Sequence, residues 1–260
     1  MLPHERIGDA IARANAAGRT GLVPFITAGY PDPGRFTETL RAVAEVGDVV
    51  ELGVPFSDPM ADGMTIQRSS FAAIGNGVTL GWIFEQLDTL VDALGGAIDT
   101  PLVMMSYLNP LLSFGYDALA ARALETGVCG FIVPDLPYEE SGEIRSALEA
   151  KDVGLIQLVT PATPEDRLKT LAGASRGFLY AVTVTGITGG ADGLPADLAD
   201  YLDRVGAVSA LPVCAGFGIR TASDVSSVGR HAAGAIVGSA LVEVLENGGD
   251  PAAWLRGLRG

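Results

Sequence analysis

Residues 49 to 63 read VVELGVPFSDPMADG: a short apolar run, a glycine, then a loop that contains prolines and acids. A run of this kind, followed by a segment with helical spacing, is typical of one strand and helix unit. The same pattern recurs along the chain and predicts eight strands. They are residues 21–27, 49–53, 102–106, 130–133, 154–160, 177–183, 211–215 and 235–237. Most are continuously apolar, as expected of parallel strands that are covered on both faces.

Segments with helical spacing separate these strands. The clearest are residues 35–46, 117–126, 139–151 and 164–172, and the long stretch 62–100 is predicted to hold two helices divided near residues 75–77. A further helix over residues 3–17 precedes the first strand, and its apolar stripe could close the floor of a barrel. Eight such units in 260 residues, without a linker, predict one domain over 1–260: an α/β (β/α)8 TIM barrel with an extra N-terminal helix. The competing fold is a doubly wound open sheet.

Composition limits which binding partners and which cellular compartment we expect for this chain. Lys and Arg number 17 against 31 Asp and Glu, and the net charge of -14 disfavours nucleic acid and anionic membranes as partners. Cys129 and Cys214 lie in apolar stretches and are interpreted as core residues rather than a disulfide, which fits a reducing compartment. There is no N-terminal targeting pattern and no apolar run near the roughly 18 residues of a membrane span. We therefore expect a cytoplasmic protein.

Two acids stand where a barrel places its chemistry, at the C-terminal ends of strands and in the loops that follow. Glu51 lies inside the second predicted strand, and burial there would raise the pKa of its carboxyl, so that it could both give and take a proton near neutral pH. The structural alternative is an internal ion pair with a basic residue such as Arg68. Asp62 follows in the loop, where it could instead cap the next helix.

Glycine-bearing turns follow the last three predicted strands, at residues 185–190, 216–219 and 238–240. Glycine lets backbone N–H groups approach an anion, and the last turn leads into a short helix whose N-terminus also favours negative charge. One such turn could be a mere tight connection, but three in consecutive units predict a phosphate site. The two histidines, His4 and His231, lie far from any strand end, and there is no zinc spacing, so no metal is expected.

These motifs together resemble the α subunit of tryptophan synthase. The resemblance runs from about Arg6 to the C-terminus and is most specific over residues 51–63, followed by Ile66-Gln67. The supporting motifs are Val23-Pro24-Phe25, Tyr107 with Asn109-Pro110, residues 134–137 and the three glycine turns. It implies retro-aldol cleavage of indole-3-glycerol phosphate to indole and glyceraldehyde 3-phosphate, in the last steps of tryptophan biosynthesis, without a metal or organic cofactor in this chain. Glu51 would be the general acid/base, and Asp62 would accept a hydrogen bond from the indole N–H.

The resemblance also implies the remaining site residues. The indole pocket would be formed by Phe25, Tyr107, Leu158, Tyr180, Phe217 and Ile236. Core packing is the alternative for each of them and the favoured one for Leu158 and Ile236. Phosphate would be bound by Gly189, Gly218, Gly238 and Ser239, and Thr188 would belong to a lid.

The partner that the resemblance implies is a β subunit that carries pyridoxal phosphate and receives indole in an α2β2 assembly. The loop with Ser57, Asp58 and Pro59 would face it. Three other functions stay open: a non-catalytic activator of a β subunit, a free-standing lyase, and another phosphate-binding barrel. Two residues are unexplained at this level: Gln157, which is polar within an apolar strand, and Met64, where many relatives have proline.

Overall fold

Nine parallel strands occur within residues 1–183, 197–216 and 218–259, the part of the chain that this computed structural model describes. They are β1 (Gly21–Thr27), β2 (Val50–Gly53), β3 (Leu102–Met105), β4 (Val128–Ile132), β5 (Gly154–Ile156), β6 (Leu158–Val159), β7 (Leu179–Val182), β8 (Val213–Gly216) and β9 (Gly234–Val237). The strands pair in the order β5-β4-β3-β2-β1-β9-β8-β7-β6. Because β1 and β9 are neighbours and β5 and β6 follow each other in the chain, the sheet curls into a ring. The predicted TIM barrel is confirmed, and the open-sheet alternative is wrong.

The fifth predicted strand is the one that the structure divides. Gln157 lies between β5, which pairs with β4, and β6, which pairs with β7. Its N–H donates to Oγ of Ser175 at 3.0 Å, and its carbonyl oxygen accepts from the N–H of Tyr180 at 3.0 Å. A side-chain hydroxyl thus replaces one ladder partner, and one barrel strand appears as two short ones.

Helices surround the barrel, and all but α1, which lies at one end, belong to its outside. Those in the described ranges are α1 (Pro3–Ala16), α2 (Phe36–Ala44), α3 (Met64–Gly75), α4 (Leu80–Leu94), α5 (Leu108–Phe114), α6 (Tyr116–Thr126), α7 (Gly142–Glu149), α8 (Glu165–Ala174), α9 (Leu198–Val208), α10 (Ala222–Gly229), α11 (Ser239–Glu246) and α12 (Pro251–Leu258). The predicted division of residues 62–100 is confirmed, since α3 ends at Gly75 and Thr79 caps α4 by accepting from the N–H of Trp82 at 3.1 Å. No helix in these ranges is long and apolar enough to cross a membrane.

The N-terminal helix α1 closes one end of the barrel, as predicted. Ile7, Ala10 and Ile11 are buried and join the apolar cluster inside the barrel. Cys129 and Cys214 belong to the same cluster, and both are free thiols. Since this end is sealed by packed side chains, the polar chemistry has to sit at the other end.

Candidate active site

Glu51 is held in the middle of the barrel wall. It lies on β2, in register with Phe25 on β1 and Val103 on β3. Its side chain is 1% exposed, and Oε2 makes no hydrogen bond to any described residue. Arg68 instead forms a two-point ion pair with Glu246, with N–O distances of 2.8 and 2.6 Å. The alternative in which Arg68 neutralises Glu51 is therefore wrong, and the acid borders an open cavity.

The two acids are pushed toward different protonation states. Burial raises the pKa of Glu51 to about 8, and the nearby carboxylate of Asp62 adds to the effect. Burial also raises the pKa of Asp62, to about 6, but a hydrogen bond from Tyr107 works against that rise. At neutral pH Glu51 is therefore mostly protonated and Asp62 mostly ionised, which is the arrangement needed for one acid to donate a proton while the other stabilises positive charge.

Asp62 is positioned from two sides. The hydroxyl of Tyr107 accepts from the N–H of Ala61 at 2.8 Å and donates to Oδ2 of Asp62 at 3.2 Å. The side-chain amide of Gln67 donates to the carbonyl oxygen of Asp62 at 2.9 Å. The N-cap of α3 is Gly63, and no side chain caps this helix, so the alternative role of Asp62 as a cap is wrong. The carboxylate is left to interact with a ligand.

A cavity of about 510 Å³, including its mouth, opens at the C-terminal ends of the strands. Of the predicted site, Glu51, Asp62, Phe25, Tyr180, Ile236, Gly218, Gly238 and Ser239 border it. The structure thus brings together both acids, half of the predicted indole pocket and three of the four predicted phosphate residues. Apolar walls with a few convergent polar groups are the usual form of a small-molecule site.

Two glycines make room for the aromatic walls of this cavity. A Cβ atom on Gly53 would lie 2.4 Å from Cζ of Phe25, and one on Gly216 would lie 2.3 Å from Oη of Tyr180. Contacts this short are not tolerated by real side chains. The rings can therefore occupy their positions only because these strand residues are glycine.

Two other predicted pocket residues, Tyr107 and Leu158, do not border this cavity. Tyr107 stands behind Asp62, where its ring stacks on Phe56 at a centroid distance of 5.0 Å, and it borders a smaller neighbouring cavity. Leu158 pairs in register with Tyr180 and packs against the apolar cluster inside the barrel. Phe217, Thr188 and Gly189 lie outside the described residues.

Four residues that border the cavity were not predicted: Gly63, Ile66, Met105 and Ile219. Met105 could have been found, because it lies two residues after the inward-facing Val103 on the same strand. Ile66 could not, since its approach depends on where α3 begins relative to the barrel. Ile219 follows Gly218 in a turn whose direction the sequence does not specify.

The predicted phosphate end of the cavity is formed by backbone. Helix α11 begins at Ser239 with Gly238 as its N-cap, and no side chain caps it. The N–H groups of its first turn have no partner within the helix, and the positive end of the helix dipole lies there. Together with Gly218 on the neighbouring turn, these groups can accept a phosphate without a clustered cation.

The loop predicted to face a partner is exposed in part. Ser57 and Asp58 are exposed, and Oγ of Ser57 donates to Oδ2 of Asp58 at 2.6 Å. Pro59 is buried within this chain. The two polar residues are therefore the ones available for contact.

Known proteins resemble the chain over nearly its whole length. A family model described as tryptophan synthase alpha chain matches residues 11–255. The chain is 41% identical to the tryptophan synthase alpha chain of Nitratidesulfovibrio vulgaris over 252 residues, 96% of each chain. It is 43% identical to that of Roseiflexus castenholzii over 242 residues, 93% of this chain and 92% of the other.

Solved structures agree with this. A structure of Mycobacterium tuberculosis tryptophan synthase has a TM-score of 0.86 at 34% identity, covering 98% of this chain and 99% of that one. The tryptophan synthase subunit alpha of Legionella pneumophila also has a TM-score of 0.86, at 31% identity, covering all of this chain and 97% of that one. The sequence match, the barrel and its paired acids place this chain in the tryptophan synthase alpha chain family, the carbon–carbon lyases of tryptophan biosynthesis.

Proposed function

We propose that this chain cleaves indole-3-glycerol phosphate to indole and glyceraldehyde 3-phosphate, with Glu51 as general acid and base and Asp62 as the stabiliser of the indole ring. The observation that carries the proposal is the state of Glu51: a buried carboxyl at the cavity, with an oxygen that no described residue bonds and a pKa raised to about 8. Such a group holds a proton at neutral pH and can release it to a substrate.

The chemistry needs two proton transfers, and one carboxyl can perform both. Protonated Glu51 gives its proton to C3 of the indole ring, which leaves the ring as a cation with a C2–N1 double bond. The bond from C3 to the side-chain carbinol carbon then breaks, and its electron pair restores the neutral indole. The carbinol hydroxyl loses its proton to the Glu51 carboxylate and becomes the aldehyde, which regenerates the enzyme.

Asp62 supports the same step from the nitrogen side. A carboxylate with a pKa of about 6 is mostly ionised at neutral pH and can accept a hydrogen bond from the indole N–H. The interaction strengthens as positive charge grows on the ring, so it favours the transition state over the bound substrate. Tyr107 and Gln67 already hold this acid in place, so little conformational entropy is lost there when the substrate binds.

The remaining groups bind and enclose the substrate. Phe25, Tyr180 and Ile236 would contact the ring, and Gly218, Gly238 and Ser239 would bind the phosphate through backbone N–H groups. Gly189 is proposed as a further phosphate residue and Thr188 as part of a lid. Because the bond cleavage needs proton transfers and involves no net oxidation or reduction, we propose that this chain uses no cofactor, and pyridoxal phosphate belongs to the proposed partner.

The proposed partner is a tryptophan synthase β subunit, in an α2β2 assembly that receives the released indole in the cytoplasm. Exposed Ser57 and Asp58 supply polar groups at the cavity end of the barrel, where a partner that takes up indole has to dock. Pro59, which is buried, would fix the shape of this loop.

Indole release from indole-3-glycerol phosphate, measured with and without an added β subunit loaded with pyridoxal phosphate, tests the function. We expect release by the chain alone and a several-fold increase with the β subunit. A free-standing lyase would show the same rate in both assays. No release in either, together with faster turnover by the β subunit, would reject the proposal in favour of a non-catalytic activator.

A further inference from the structure

One carboxylate, that of Glu243, joins two segments that border the cavity. Its Oε1 accepts a hydrogen bond from Oγ1 of Thr65 at 3.2 Å, and its Oε2 is ion-paired with Arg220. Thr65 lies in the first turn of α3, three residues after Asp62, and Arg220 lies two residues after Gly218. The same side chain therefore reaches both the loop of the second acid and a turn of the phosphate end.

Glu243 also belongs to the third segment of this site. It lies on α11, four residues after Ser239, and residues at this spacing share one face of a helix. Side chains of a helix lean toward its N-terminus, so the carboxylate is directed toward the turn that Ser239 begins. Its contacts thus connect the helix proposed to hold phosphate with both neighbouring segments.

The backbone of Arg220 is held independently of its side chain. Its N–H donates to Oδ2 of Asp224 at 3.0 Å, and Thr221 and Asp224 form a capping box at the start of α10. One end of the turn that contains Gly218 is therefore fixed by α10. The ion pair with Glu243 ties the same residue to α11, so the turn is held between two helices.

We propose that Glu243 is a positioning residue that aligns the phosphate-binding turn and the Asp62 loop with each other. Through Arg220 it supports phosphate binding, and through Thr65 it supports the orientation of Asp62. This inference rests on the proposed function, because it takes the roles of Asp62, Gly218 and Ser239 from there. It adds a link between the two halves of the site.

Glu246 provides a matched control on the same helix. It accepts two hydrogen bonds from Arg68 of α3, so it also ties α11 to α3. In contrast to Glu243, it has no bond to Thr65 or to the turn of residues 218–220 among the described contacts. Replacing it loosens the same pair of helices without releasing the two segments that border the cavity.

The experiment compares Glu243→Ala, Glu246→Ala, Arg220→Gln and Thr65→Val, each checked for a folded state by thermal unfolding. Steady-state kinetics give kcat and KM for indole-3-glycerol phosphate, and titration calorimetry gives the affinity for glycerol 3-phosphate as a probe of the phosphate end alone. We expect Arg220→Gln to raise KM and weaken glycerol 3-phosphate binding about fivefold, with kcat within about twofold. Thr65→Val should lower kcat about fivefold, with KM and probe affinity within about twofold.

Glu243→Ala should show both effects, and Glu246→Ala should keep kcat, KM and probe affinity within about twofold of the parent chain. The proposal is overturned if Glu243→Ala changes only one of the two parameters or neither, or if Glu246→Ala has the same effect. Failure of the proposed function looks different, since the unmodified chain would then release no indole. In that case the calorimetric comparison of Glu243→Ala with Glu246→Ala still decides whether Glu243 organises the phosphate end.

Discussion

Two acids three residues apart, Asp48 and Glu51, meet opposite surroundings, one at the sealed end of the barrel and the other at the cavity. Asp48 precedes β2 near the sealed end and accepts from the N–H of Leu22 at 2.8 Å and from Arg259 at 3.0 Å, with Arg19 at 3.7 Å. Glu51 lies within β2 itself, and its Oε2 has no partner among the described residues. Asp48 thus has hydrogen-bond partners within the chain, whereas one carboxyl oxygen of Glu51 is available to a ligand.

The pKa shifts of the two groups follow from this difference. Burial raises the pKa of both carboxyls, but at Asp48 the N–H of Leu22 and the charge of Arg19 oppose the rise. At Glu51 no described residue opposes it, and the charge of Asp62 adds to it. The carboxylate of Asp48 is thus held by donors, whereas that of Glu51 faces another carboxylate and can hold a proton for chemistry.

The largest expected effect is on catalysis, through Glu51→Gln. The amide keeps the shape of the side chain but cannot transfer a proton, so we expect kcat to fall by about ten-thousandfold while substrate affinity changes little. Single-turnover kinetics and equilibrium binding of indole-3-glycerol phosphate measure the two separately. Turnover within tenfold of the parent chain would contradict the role of this residue.

The same variant should become more stable than the parent chain as pH rises. The carboxyl of Glu51 binds its proton more tightly in the folded state, with a pKa of about 8 against 4.5 unfolded, so the parent loses stability between these pH values. Glutamine does not titrate, and its advantage should grow over this window by up to about 5 kcal/mol. Urea denaturation at pH 5 and pH 9 measures it. Equal pH dependence in the two proteins would show that Glu51 is not buried as a neutral acid.

At the other end of the barrel, Asp48→Asn should affect stability and spare the reaction. Asparagine can still accept from the N–H of Leu22, but Arg259 and Arg19 lose their counter-charge, at a cost of about 2 kcal/mol in the free energy of unfolding. Urea denaturation should show this loss, while kcat stays within about twofold. A large fall in kcat would remove the contrast between the two acids.

The smallest effect is expected for Tyr107→Phe, which deletes the donor to Asp62 and keeps the ring. Because this hydrogen bond lowers the pKa of Asp62, its loss should raise that pKa and move the acid limb of kcat/KM to higher pH. Activity at neutral pH should fall about fivefold. The pH profile measures the shift, and Phe56→Leu, which disturbs the stacked ring but not the hydrogen bond, is the control. An acid limb that stays in place would show that Tyr107 does not tune Asp62.

The sequence predicts the repeating architecture well because each strand and helix has its own local pattern of apolar and turn-forming residues. The run of residues 21–27 has no polar side chain before Thr27, and the structure has it as β1 with the same bounds. The two helices between β2 and β3 separate at Gly75, Asn76 and Gly77, as their turn-forming residues indicate. The position of Glu51 within a strand follows from the local pattern as well, and this residue borders the cavity.

Contacts between distant segments could not be predicted in this way. Arg68 was a reasonable partner for Glu51, but it is paired with Glu246, 178 residues further along the chain. The family resemblance implies that Tyr107 lines the indole pocket, whereas in the structure its hydroxyl holds the loop of Asp62. The division of the fifth strand depends on the hydroxyl of Ser175, which no pattern around Gln157 reveals.

The seal at the floor of the barrel also bears on how the chain can assemble. Helix α1 precedes every strand of the barrel in the chain, yet His4 is fixed by the carbonyl oxygen of Asp152, which accepts from its backbone N–H at 3.1 Å and lies 2.7 Å from its ring Nδ1. During translation the apolar stripe of Ile7 and Ile11 therefore cannot take its native position until the residues around Asp152 have left the ribosome. Docking of α1 is consequently a late event, and until then the nascent chain carries an uncovered apolar segment that chaperones can recognise.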